Sequence, residues 1–241
     1  MAGPGRFEIA AGIAFAMSLA LVIVGRALGT SLKFLEVVDL AYFSVMVLAA
    51  IIGSDGTVRW LETWAGELSN ITLAVFALAT LAIGQPFTIQ YAREETPREY
   101  WDSPVFLHIN QMITAVWAGA FVVAAIAGAF GDLVLDNSNN LWTGWVIQVG
   151  AIIVAIAFTG WYPEVGQARA AQAAGQPADP PPPLAALLLP LSGWVPVVGI
   201  LILVFGSGPW YLGVALIIAG SALSHALHRA TRSPPTPKAA S

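Results

Sequence analysis

The sequence predicts an all-α fold, a polytopic bundle of about seven transmembrane helices with the N-terminus outside and the C-terminus cytoplasmic. Three observations predict it. Of 241 residues, 57% are hydrophobic and only 10% charged, where a soluble domain is about a quarter charged. Mean hydropathy is +0.75, and apolar runs close to the roughly 20 residues needed to cross a bilayer core recur along the chain. No strand-like alternation competes, and lipid leaves helices as the spanning element.

The spans follow in order. The first, about 8–25, has Arg6 and Glu8 before it and Arg26 and Lys33 after it, which marks an uncleaved helix with its N-terminus outside rather than a signal peptide. The second, about 35–53, opens on Glu36 and Asp39. The third, about 69–84, has a short apolar core that Ala65 to Leu68 can extend, and Pro86 should break its end. Ser103-Pro104 starts the fourth, about 105–130, with serine as N-cap and proline at the first helical position. The fifth covers about 141–162. The sixth, about 184–206, is interrupted by Pro190 and Pro196, and the seventh covers about 210–227.

Seven spans place two basic residues, Arg6 and Arg59, on the outer side and eight on the other: Arg26, Lys33, Arg93, Arg98, Arg169, Arg229, Arg232 and Lys238. That asymmetry sets the orientation. Trp60, Trp64, Trp142, Trp145, Trp210 and Tyr211 fall at outer span ends, and Trp101, Trp161 and Tyr162 at inner ends, where amphipathic rings prefer the headgroup level. The expected organisation is a five-helix body, 1–163, an Ala/Gln/Pro-rich cytoplasmic linker, 164–183, a transmembrane hairpin, 184–228, and a disordered cytoplasmic tail, 229–241.

Several function classes fall away. A net charge of −4 and no basic patch argue against nucleic acid as a partner. The absence of cysteine removes disulfides, thiolate metal sites and cysteine nucleophiles. The lysines, Lys33 and Lys238, fall in a loop and the tail, so no buried lysine can form a Schiff base. Ser207 and His225 are 18 residues apart, about 27 Å along a helix, too far for a nucleophile and its base. His225 and His228 share a helix face but lack a carboxylate at ligand spacing, so no metal and no cofactor is expected.

Polar residues concentrate in two places. The segment after the third span carries Arg93, Glu94, Arg98 and, entering the fourth span, His108. It reads either as a solvated, ion-paired loop or as a rim where an arginine grips a ligand or lipid headgroup. Inside the spans, Asp39, Asn110, Gln111, Thr114 and Gln148 are candidates because polar groups in lipid need partners. Asp39 could pair with Arg93 or Lys33 near the headgroups. In the fourth span Ala120, Ala124 and Gly128 form a four-residue stripe suited to close helix packing.

The run Gln85 to Glu94 (QPFTIQYARE), then Pro97, Trp101, Pro104 and Asn110 to Trp117 (NQMITAVW), with Phe158 to Pro163 (FTGWYP), resembles a group of small bacterial inner-membrane proteins. It is more distantly similar to the intracellular septation protein A type. The resemblance covers about residues 30–163 and implies a multi-pass protein of the bacterial inner membrane linked to the cell envelope. It carries over no catalytic residues.

Three readings of function follow, in order. The first is a non-enzymatic inner-membrane protein acting through contacts, in cell-envelope maintenance or as a membrane-complex subunit. Its partners would be membrane lipids, with self-association or other membrane proteins beside them. The second is a small-solute transporter or channel using the face of Asp39, Asn110, Gln111 and Thr114. The third is a lipid-headgroup-modifying enzyme around Arg93, Glu94 and His108.

Overall fold

The computed structural model describes residues 6–137, 140–177 and 179–231, and among them the protein is helical with no strand. Its helices are α1 (Arg6–Ala27), α2 (Phe34–Ile52), α3 (Asp55–Ala82), the short α4 (Ile89–Glu95), α5 (Pro104–Leu133), α6 (Ile147–Ala173), α7 (Leu184–Phe205) and α8 (Trp210–Thr231). A 3-10 turn, Arg98–Tyr100, follows α4, and a π turn, Trp142–Val146, leads into α6. Among the described residues seven helices are long and apolar enough to cross a membrane, as the composition predicts, and the chain is a multi-pass membrane protein.

The chain forms two compact units, residues 1–148 and 149–241. In the first, α1 packs on α2 and α3 on α5. Phe7, Ala11, Met46 and Leu61 make a small core that Tyr42, Val58 and Leu68 complete. Helix α3 begins at Asp55, ten residues before even the Ala65 extension of the expected span. Ser54 caps it by accepting from the Thr57 amide at 3.3 Å, and Asp55 sits in the first turn, where its charge meets the positive end of the helix dipole. A run that is polar on one face still continues as helix when its other face packs on a neighbour.

The α3–α5 contact is built from small residues. Ala74 and Ala77 of α3 and Ala118, Ala120, Phe121, Ala124 and Gly128 of α5 are buried. The predicted alanine and glycine stripe therefore lies in the interface, where short side chains let the backbones approach. Helix α3 stops as expected just before Pro86. Gly84 takes φ +72°, a left-handed conformation that glycine adopts without a Cβ penalty. The Gln85 amide then donates to the Thr80 carbonyl at 2.9 Å. At the start of α5 Ser103 accepts from the Phe106 amide at 3.2 Å, with Pro104 opening the helix.

The second unit holds the rest of α6 with α7 and α8. Helix α6 passes through Pro163 and runs to Ala173, so the boundary expected at 163 falls inside a helix and the irregular connection begins after Ala173. Alanine-rich sequence is the best helix former, and a single proline costs one amide donor without stopping the helix in apolar surroundings. Pro190 and Pro196 likewise lie inside a continuous α7 and do not interrupt it. Gly220 of α8 faces Pro196 so closely that no Cβ would fit between them. Trp161 donates from Nε1 to the carbonyls of Pro182 and Pro183 at 3.3 and 3.2 Å, which ties α6 to the proline segment. Helix α8 ends at Thr231; the remainder of the tail, from 232, lies outside the described residues.

Candidate functional site

At the end of the first unit where α1 meets α2 and α3 meets α4, polar groups form a connected layer. Its centre is Lys33, just before α2, with 3% of its side chain exposed. Its ammonium donates to Glu94 Oε1 at 2.6 Å and to the Ser31 carbonyl at 2.9 Å. It also lies 5.4 Å from the centre of the Tyr91 ring. Glu94 Oε1 further accepts from the Ser31 amide and hydroxyl at 3.1 and 3.0 Å. One residue turn earlier, Gln90 Oε1 accepts from the Phe34 amide at 2.7 Å, and Glu36 accepts from the Lys33 amide at 3.1 Å. The first loop and α4 are thereby clamped by side chains that satisfy the orphan donors at the start of α2.

The electrostatics follow from the geometry. Hydrogen bonds from Lys33 and Ser31 hold the Glu94 carboxyl below its ordinary range. Burial, followed by the nearby carboxylates of Glu36, Glu94 and Asp39, pushes the Tyr91 phenol up to about 12, because a phenolate there would be poorly solvated among negative charges.

Beyond this clamp, Arg93 and Arg98 both lie against one indole, with their guanidinium carbons 5.0 and 5.6 Å from the Trp101 ring centre. Trp101 is held in place by donating to the Thr96 carbonyl at 2.9 Å. Both arginines are exposed, and among the described residues neither forms an ion pair. A cation over an aromatic face is oriented without being neutralised, so these two forks remain available to an anion.

The remaining predicted polar residues find separate partners. Asp39 accepts from Ser18 Oγ of α1 at 2.7 Å, so neither Arg93 nor Lys33 is its partner; Lys33 is committed to Glu94. Asn110 is buried and donates to the Phe106 carbonyl at 2.9 Å. Thr114, fully buried, bonds Thr88 Oγ1 at 2.9 Å, and Thr88 also donates to the Asn110 carbonyl at 3.1 Å. These bonds pin the segment after Pro86 onto α5. Gln111 is exposed, as is His108 near the start of α5. The expected solute-lining face is therefore divided among three settings.

Gln148 belongs to a cluster that the sequence reading missed. It accepts from Asn70 Nδ2 at 3.2 Å and donates to the Thr143 carbonyl at 3.0 Å. Beside it, Glu67 of α3 is 8% exposed, with its carboxylate pressed against Gly128 of α5. Asp132, one turn further along α5, has a fully occluded carboxylate oxygen with no hydrogen-bond partner. The available signal was the spacing of Glu67 and Asn70, three apart and so on one helix face. Glu67 falls within the Ala65 to Leu68 extension of the third span, so the pair lies within reach of the sequence.

Comparison of the chain with protein families, curated proteins and solved structures finds no match.

Proposed function

We propose that this multi-pass protein is non-enzymatic and acts by contact at the cytoplasmic leaflet of the bacterial inner membrane, where Arg93 and Arg98 hold an anionic lipid headgroup. One observation carries the reading: two exposed guanidiniums share the Trp101 ring, next to a clamp that consumes the neighbouring Lys33–Glu94 charges. A lipid phosphate suits such a pair, since each guanidinium can give it two parallel hydrogen bonds. The basic-residue asymmetry supports the cytoplasmic placement. The resemblance of residues 30–163 to envelope-linked proteins supports a role in cell-envelope maintenance or within a membrane complex, with lipids as the first partner.

The test is lipid binding by the full chain in detergent. A charge-assisted hydrogen bond contributes about 1.5–3 kcal/mol, so the Arg93→Ala, Arg98→Ala double variant should retain anionic phospholipid roughly tenfold less well or worse. Its thermal midpoint should stay within a few degrees of the parent. Arg93→Lys should fall between the two. Inorganic phosphate as competitor separates the two sources, since a site for free phosphate gives up the lipid to phosphate, whereas a headgroup site keeps it. Unchanged retention in the double variant would refute the reading.

A further inference from the structure

The Glu67 cluster belongs to a different part of the first unit and raises a separate question. Glu67 lies twelve residues into α3, about 18 Å from its start by helical rise, well inside a span. Its carboxylate is wedged against Gly128, and among the described residues no side chain donates a hydrogen bond to it and no basic side chain pairs with it. The elements packed around α3 bring two further titratable groups towards it. Asp132 of α5 is another carboxylate, and Tyr42 of α2 has its hydroxyl committed to the Ala65 carbonyl. The π turn and the start of α6 contribute Thr143 and Gln148, which are neutral.

An isolated carboxylate in hydrocarbon is far too costly to persist uncompensated, and a second one nearby raises the cost. Either a proton or a small cation must supply the missing charge. Asn70 and Gln148 bond each other and offer carboxamide oxygens, and Thr143 presents its hydroxyl against Gly131, one residue from Asp132. Oxygen donors of this kind are what a hard monovalent ion takes. Two features coincide here, a glutamate more than nine-tenths buried whose carboxylate has only its own backbone amide for a partner, and an occluded, unpaired Asp132 oxygen.

We propose that Glu67 and Asp132, with Asn70, Thr143 and Gln148, form a membrane-embedded site for a small monovalent cation, a proton or Na⁺. Gly128 is part of the site because a Cβ there would force the Glu67 carboxylate to shift. Such a site couples the ion to the α3–α5 contact, since the same side chain separates the helices and binds the charge.

The experiment uses the full chain in nanodiscs of neutral lipid. Thermal midpoints are recorded at constant ionic strength with NaCl exchanged for KCl or choline chloride, at about pH 6 and about pH 8. A Na⁺ site gives a saturable rise of roughly 2–8 °C with NaCl that choline does not reproduce. A proton site instead gives a midpoint that is indifferent to NaCl and higher at the lower pH. In either case Glu67→Gln, which keeps the shape and removes the charge, abolishes the dependence. The rest of the chain is the same in both proteins, so the difference between them is the readout. Asp132→Asn, which should weaken the response, serves if the first variant fails to insert. A wild-type midpoint flat in both Na⁺ and pH overturns the proposal, as does a response identical in wild type and variant.

Discussion

Lys33 and Glu94 form a pair of unequal partners, and the inequality sets what each substitution does. The lysine is 3% exposed and the glutamate 38%. Removing Lys33 leaves a carboxylate that water and Ser31 can still solvate, whereas removing Glu94 strands an ammonium in the interior. Glu94→Ala should therefore lower the thermal midpoint more than Lys33→Met, by calorimetry on detergent-solubilised protein. Because the Glu94 carboxyl is held below its ordinary value, the stability it adds is present above that value and fades as pH falls through the lowered one. Wild type should lose stability more steeply than Glu94→Gln at acid pH. The raised Tyr91 phenol acts at the other end: it favours folding up to about pH 10 and loses that contribution as pH approaches 12. Tyr91→Phe should flatten this alkaline loss. Deeper in the unit, Thr114→Val removes the Thr88 bond and should cost about 0.5–1.5 kcal/mol. Gly128→Ala pushes a methyl into the Glu67 carboxylate and should cost about 1–3 kcal/mol. Sequence alone flagged Asp39, Asn110 and Thr114 as needing partners but could not supply them. Ser18, Thr88 and the Phe106 carbonyl come from 4 to 26 residues away, and only the packing of helices decides which of several nearby polar groups wins.

Helix ends were legible where a chemical signal marked them. Ser103-Pro104 begins α5, and Gly84-Gln-Pro86 closes α3, since a cap and a missing donor act locally. Ends set by packing were not. Helix α3 extends back to Asp55, α6 runs past Pro163, and α7 passes through Pro190 and Pro196, because contacts outside the segment compensate for polar or proline residues within it. The α7–α8 hairpin shows the same dependence on close approach, since Cβ atoms at Gly199, Gly213 and Gly220 would each meet the facing helix within 3 Å. Gly213→Leu should therefore separate the pair and open residues 174–183 to limited proteolysis, a change readable on a gel. A cleavage pattern matching wild type would show that the hairpin tolerates the bulk.

For the whole molecule, composition alone carried the class, as seven helices suited to a bilayer require little besides apolar length. The division between residues 148 and 149 was not legible, because the proline-rich segment, where composition changes most, lies within the second unit. Orientation rests on the two-against-eight distribution of basic residues, and the headgroup reading depends on it, since Arg93 and Arg98 must face the anionic cytoplasmic leaflet. The chain contains no cysteine, so a single introduced thiol reports its own side of the membrane. In intact cells a membrane-impermeant maleimide should label Leu135→Cys and Ser207→Cys, while Glu95→Cys and Gln176→Cys should react only after permeabilisation. Labelling of Glu95→Cys in intact cells, with Leu135→Cys protected, would place the arginine platform outside and contradict the account.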